Sequence, residues 1–191
     1  METIEAIRTR RTIGKSTGDV PRATITELIE AATWAPNHKL TQPWKFAVLT
    51  GAARERLGAV WGAAAAAHAE PATRTAIEEG EAKKLLRAPC VIVVSVRTDP
   101  DWVRAEEDLT ATAAAVQNLL LAAHSKGLSA AWKTGKIVHS PEVKAFLGLD
   151  STDRIIAVVY LGAEAKEDAA PRNRNVDDAI TWVGDAVAAS R

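Results

Sequence analysis

The run Trp34-Ala35-Pro36-Asn37-His38-Lys39-Leu40-Thr41-Gln42-Pro43-Trp44-Lys45-Phe46 packs a dense set of donors and acceptors between two prolines. Each proline fixes its own φ and pushes the residue before it out of the α region, so the intervening chain is an irregular loop. Asn37, His38, Lys39, Thr41 and Gln42 lie on that loop, immediately before the apolar run from Phe46 to Leu49. A polar loop between a helix end and a strand is a place where a ligand binds. His38 is the side chain there that changes charge near neutrality, so it could give or take a proton. No carboxylate accompanies it in sequence, and the readings as proton donor, substrate contact and plain loop residue all stay open. Nearer the start, Arg10 and Arg11 precede Thr12. Guanidinium forks suit phosphate oxygens, often bidentately, although on residues alone the pair fits a solvated basic turn better.

Further along, the small residues Gly127-Leu128-Ser129-Ala130-Ala131 lead into Trp132-Lys133-Thr134-Gly135. Such a loop lets backbone approach a planar ligand closely. Trp132 by itself reads as a core residue more readily than as a stacking platform. His68, His124 and His139 are scattered without metal-ligand spacing or an accompanying acid cluster, and no metal site is expected. Cys90 sits in Pro89-Cys90-Val91-Ile92-Val93-Val94 and reads as a buried strand residue. There is no G-x-G-x-x-G after a strand and no P-loop, so a nucleotide would be held by arginines and loops.

These residues need elements to hold them. Ile4, Ile7 and Arg8 mark a short helical turn ahead of Arg10. A helix is predicted from near Thr24 or Thr26, with Thr24 and Glu27 able to form a capping box and Ile25, Leu28, Ile29 and Ala32 on the buried face. Helices are also predicted over 54–68 and 73–86, over the long stretch from Glu106 to Gly127, and over 141–147. Strands are predicted at 46–49, 91–96 and 155–161, the second buried on both faces and central. The stretch around Trp132 reads as a loop. The long helix is apolar around more than one stripe, which suits a subunit interface. Alternating helices and apolar strands leave α/β and α+β both open.

The loop resembles the Ala-Pro-(polar)-(polar)…Gln-Pro-Trp-x-Phe motif of the nitroreductase family of flavin enzymes. Arg10-Arg11-Thr12 is similar to that family's Arg-Arg-Ser/Thr motif, and Ala131-Trp132-Lys133-Thr134-Gly135 to the Ile-Trp-Arg-Ser/Thr-Gly loop of its compact members. The order and spacing agree along nearly the whole chain. The resemblance implies an α+β fold, with one domain over 1–191 and a mixed central sheet flanked by helices. It also implies an intertwined homodimer with flavin sites at the interface. FMN is the implied cofactor and NAD(P)H the electron donor. Hydride passes through flavin N5 in a ping-pong exchange to a small-molecule acceptor of nitroaromatic, quinone or enone type.

By the same resemblance, Arg10, Arg11 and Thr12 hold the FMN phosphate, ribityl chain and pyrimidine edge. Trp132, Lys133 and Thr134 pass the N5 and O4 edge. His38 and Trp34 face the flavin of the opposite subunit, and Arg172 and Arg174 resemble a basic tail that completes the phosphate site. Lys133 departs from the usual arginine and loses its planar fork, while Leu40 stands where longer relatives carry asparagine. A flavin carrier, sensor or flavin-modifying relative without reductase turnover would keep the same loops.

Bulk properties limit the other classes. With 191 residues, 47% of them apolar, the chain can build one substantial core. Lys+Arg and Asp+Glu both number 24, so no long-range field favours nucleic acid or an anionic membrane surface. No basic-then-apolar pattern opens the chain, and no apolar run approaches the ~20 residues that span a bilayer. A cytoplasmic protein is expected.

Overall fold

The computed structural model describes residues 1–165 and 174–183. Four strands, β2 (Trp44–Thr50), β3 (Cys90–Val96), β4 (Ser129–Lys133) and β5 (Arg154–Gly162), form a sheet in the order β2-β3-β5-β4. Two short strands, β1 (Ser16–Thr17) and β6 (Glu164–Ala165), pair beside it. The helices are α1 (Thr3–Thr9), α2 (Arg22–Thr33), α3 (Ala52–Ala66), α4 (Pro71–Ala82), α5 (Trp102–Ser125) and α6 (Pro141–Phe146).

The class is α+β, as the resemblance implied, but pairing in the described sheet is antiparallel throughout rather than mixed. Connectivity supplies the reason. The α3–α4 helical pair makes three reversals between the two strands and so returns β3 antiparallel to β2. The single helix α5 then carries the chain from β3 to β4 in the same direction, but β5 inserts between those two strands, so the parallel pair never touches.

β3 is buried along its whole length, as the continuous β-branched run requires. Its alternate side chains serve two cores. Ile92 and Val94 pack with Leu28 of α2 and Val116 and Leu119 of α5, while Val91 and Val93 pack with Leu57 and Trp61 of α3 and Val143 of α6. Each such aliphatic side chain withdrawn from water contributes on the order of 1.5–3 kcal/mol, which is why the sheet lies between two helical layers.

Several boundaries moved from expectation for local reasons. α2 starts at Arg22 behind Pro21, so Thr24 sits inside the first turn and the Thr24–Glu27 capping box does not form. α5 starts at Trp102, where the Asp101 carboxylate accepts from Val103 N at 2.9 Å and caps the helix. Its far end is a Schellman motif. Leu128 N donates to Ala123 O and Gly127 N to His124 O, both at 2.9 Å, with Gly127 at φ 74°. That turn sends the chain directly into β4, so Trp132 lies on a strand and not in a loop.

Candidate functional site

β4 is an edge strand, and the Arg10-Arg11-Thr12 segment runs along it. Ile13 N donates to Ala130 O at 3.0 Å, and a little further on Ser16 N donates to Arg87 O at 3.0 Å. The N-terminal segment is thereby pinned between β4 and the turn that follows α4. A cavity lies near each end of β4.

The first cavity is small, about 220 Å³, and is lined by Arg10, Arg11, His124, Leu128, Ser129 and Ala130. The Schellman turn places His124 and Ser129 together there. Arg11 Nη1 donates to Arg8 O at 2.7 Å and to Arg10 O at 3.0 Å, which shapes the basic turn. The environment is electropositive: burial, then the Arg10 and Arg11 guanidiniums, push the His124 imidazole below its ordinary range, and Glu5 opposes them. Thr12 is exposed beside this cavity and does not line it.

The second cavity, about 480 Å³, takes Lys133, Thr134 and Gly135 from the end of β4, with Lys84, Arg87 and Tyr160 opposite. Glu81 is also in its wall and forms an ion pair with Lys84. Burial pushes the Tyr160 hydroxyl up to about 12, with Arg87 opposing and Glu81 reinforcing. Tyr160 is therefore a neutral hydroxyl at physiological pH.

Trp132 points the other way. Its neighbours Ala131 and Lys133 face the α3 side, while its indole packs into the core under α5. A β-bulge between Val94/Ser95 and β5 leaves Ile156 outside the register, and Trp132 Nε1 donates to that carbonyl at 3.0 Å. The indole thus satisfies a backbone group the bulge would otherwise orphan.

The Pro36–Pro43 loop holds a single 3₁₀ turn, His38–Leu40. Lys39, Leu40 and Gln42 adopt φ of 53°, 54° and 45°, in the left-handed region that non-glycine residues avoid at a cost of roughly 1–2 kcal/mol each. Three contacts hold the loop there. Gln42 N donates to Asn37 Oδ1 at 3.0 Å, Thr41 Oγ1 donates to Asp108 Oδ1 at 2.7 Å, and His38 Nδ1 donates to Glu107 Oε2 at 2.8 Å. No carboxylate stands near His38 in sequence. The structure brings one from α5, and because Nδ1 carries its proton toward Glu107, Nε2 is the atom of neutral His38 that can accept one. We expect Asp108→Ala to free the strained loop. Amide exchange at residues 38–42 should quicken by roughly tenfold or more, as expected for losing a hydrogen bond to a carboxylate; exchange unchanged within twofold would show that the clamp lies elsewhere.

One chain does not bring all the expected residues together. His38 meets α5 at Glu107, while Arg10 and Arg11 face His124 at its other end. Those seventeen residues of helix correspond to about 25 Å at ~1.5 Å per residue. Trp34, at the end of α2, is 80% exposed. Arg174 is exposed and lines neither cavity, and Arg172 lies outside the described residues. Glu81, Lys84, Arg87, Tyr160, His124, Glu107 and Asp108 escaped the sequence reading. Lys83-Lys84 just ahead of the buried strand, and Glu106-Glu107-Asp108 on one helix turn, are the signals that could have found some of them.

The fold and the paired cavities along β4 define a class: an α+β protein with an arginine-lined pocket joined by one strand to a larger mixed one. Comparison with known proteins makes the class specific. The Nitroreductase family model matches residues 7–163, and the chain belongs to that family. YfhC of Bacillus subtilis, called "Putative NAD(P)H nitroreductase", is 31% identical over 159 residues, 83% of this chain and 82% of its own. A nitroreductase-like family protein from Bacillus cereus superposes with a TM-score of 0.86 at 27% identity, covering 96% of both chains. A Desulfovibrio desulfuricans chain solved in complex with FMN superposes at 0.67 with 25% identity, over 97% of this chain and 100% of its own. No helix among the described residues is long and apolar enough to cross a membrane.

Proposed function

We propose that this protein is an FMN-dependent NAD(P)H oxidoreductase that reduces small acceptors of nitroaromatic, quinone or enone type in a two-step exchange, folding as one domain over 1–191. The observation that carries the reading is the pair of cavities along β4. The arginine-lined one has the size and charge for a phosphate, and the larger one has room for a fused ring. The donor set fits FMN: Arg10 and Arg11 supply cationic forks, Ser129 a hydroxyl, Lys84 and Lys133 ammonium groups, and Tyr160 a neutral hydroxyl. The relative solved with FMN supports the same ligand.

When bound, FMN would supply the redox chemistry, taking two electrons from NAD(P)H and releasing them to the acceptor. The protein's own residues bind, orient and tune. Arg10 and Arg11 hold the phosphate end. Lys133 and Arg87 put positive charge around the ring cavity, Lys84 being paired with Glu81, and that charge favours an anionic ring over a neutral one. Gly135 lets the backbone come close. His38, oriented by Glu107, offers Nε2 as a group that can hold or pass a proton.

The ~25 Å separation along α5 supports a homodimer. A two-fold axis across the middle of α5 would bring the Glu107 end of one copy to the His124 end of the other, placing the partner subunit's His38 and Trp34 beside Arg10 and Arg11. Trp34 and Leu40, 80% and 77% exposed, and Ile4 and Ile7 on α1 are apolar groups that a second copy would cover. A free buried Cys90, its thiol pushed up to about 11 chiefly by burial, suits the reducing cytoplasm.

The test is anaerobic addition of NADPH, then NADH, to FMN-reconstituted protein while the flavin absorbance band is followed. Bleaching by either donor is expected. A bound flavin that stays oxidised with both would replace this reading by a flavin-binding protein without reductase turnover, and failure to bind FMN at all would end it.

A further inference from the structure

We propose that His124 is a phosphate-binding residue of the flavin site, and that it takes up a proton from solvent as the phosphate docks beside Arg10 and Arg11. The inference rests on the FMN reading above and adds a residue that no motif pointed to.

The geometry assigns the protons. Thr9 Oγ1 donates its single hydrogen to Glu5 O at 2.7 Å, as a helical threonine does. It also lies 2.8 Å from His124 Nε2. With its proton already used, the hydroxyl can only accept there, so Nε2 carries the hydrogen. Neutral His124 is thereby held in one tautomer, with Nδ1 bare. Protonation at Nδ1 adds a second donor and a positive charge to a wall that already holds two guanidiniums.

Before an anion binds, the site resists that charge. Arg10 and Arg11 face the ring from the N-terminal segment, Glu5 and Thr9 from α1, and Ser129 of β4 brings no charge. Burial and the two arginines keep the imidazole neutral at pH 7, against the weaker pull of Glu5. A phosphate dianion reverses the balance, since it cancels the guanidinium field and accepts a charge-assisted hydrogen bond from the new N–H. The sign follows from linkage. A group charged more readily in the complex than in the free protein makes binding tighter as pH falls through the interval between its two pKa values. The phosphate's own second ionisation, near pH ~6, works in the opposite sense by lowering the ligand's charge. The side chain introduced by His124→Gln can still donate to Thr9 but cannot gain a proton, so only the phosphate's contribution would remain.

The experiment is isothermal calorimetry of FMN and of riboflavin, which lacks the phosphate, binding to the apo-protein in two buffers of different ionisation enthalpy. At about pH 7.5 the free phosphate is already mostly dianionic. The wild type is expected to take up a measurable fraction of a proton per FMN and none per riboflavin. His124→Gln is expected to lose the FMN-linked uptake and to bind FMN roughly tenfold more weakly, as for one lost charge-assisted hydrogen bond, with riboflavin affinity unchanged. FMN binding without proton uptake in the wild type overturns the role of His124 and leaves the FMN reading standing, whether or not the variant folds. A protein that binds neither flavin overturns both.

Discussion

Lys45→Ala is expected to cost about 3–5 kcal/mol of folding free energy, the range for stranding one partner of a buried ion pair. Asp153 is 1% exposed, and Lys45 Nζ lies 2.6 Å from its Oδ2 and 3.7 Å from Asp150 Oδ2. Asp150 N also donates to Asp153 Oδ2, at 3.1 Å, but Oδ1 has no hydrogen-bond partner. Without the ammonium group, a buried carboxylate would keep a single backbone donor. The lower half of the range is the better expectation, because the Lys45 side chain is 34% exposed and water can follow the truncation. At roughly 2–4 °C per kcal/mol for a chain of this size, Tm should drop by about 10 °C. Lys45→Met combined with Asp153→Asn removes both charges and should recover most of the loss. A drop below about 1 kcal/mol for Lys45→Ala would mean that solvent already satisfies Asp153. The pair also has a positional role, because Lys45 is the second residue of β2, just after the strained loop, and reaches past β3 to the turn before β5.

Gly62→Ala should destabilise the protein by about 2–3 kcal/mol, the upper part of the range for overpacking, and weaken FMN binding as well. A Cβ at Gly62 would fall 2.3 Å from Glu78 O, and one at Gly58 would fall 2.9 Å from Ala82 O. These two glycines, one helical turn apart on α3, let α4 approach to backbone contact. The obstructing atoms are backbone carbonyls, so relief requires moving α4 itself. That helix carries Ile77 and Glu81, and Lys84 follows it, all in the wall of the larger cavity. Flavin affinity is therefore expected to fall by roughly tenfold, a change of only about 1.4 kcal/mol. Gly80→Ala, on α4 itself, is the matching control. Nothing lies within 4 Å of a Cβ at Gly80, so alanine should be neutral or stabilise by up to ~1 kcal/mol through helix propensity. If both variants melt together, close packing of α3 on α4 is not what holds the cavity wall.

Local signals were legible where a residue's neighbours in sequence are also its neighbours in space. The β-branched run from Val91 to Val96 became an interior strand, Lys126-Gly127 closed a helix, and Pro36 and Pro43 bounded an irregular loop. The Arg10-Arg11 pair did come to line an electropositive cavity. Where the reading erred, a longer-range term outweighed the local one. Trp132 looked like part of a ligand loop, but the chain there is held as a strand by its ladder to β5, and the indole serves a bulge carbonyl twenty-four positions away. His38 looked unsupported because Glu107 lies sixty-nine positions further on.

Three spaced motifs in the chain point to the family, and local patterns give most of the elements, because periodicity and capping are short-range properties of the chain. What those elements bring together is set by the three-dimensional packing. It ran the arginine segment along β4, set His124 beside Arg10 and Arg11, and supplied Glu107 and Asp108 to a loop in left-handed backbone. It also put His38 and the arginines at opposite ends of α5, a separation that calls for a second copy of the chain. Such pairings depend on how strands order in the sheet and how closely helices approach. Those quantities are set by burial and backbone contact between distant residues, and no local pattern encodes them.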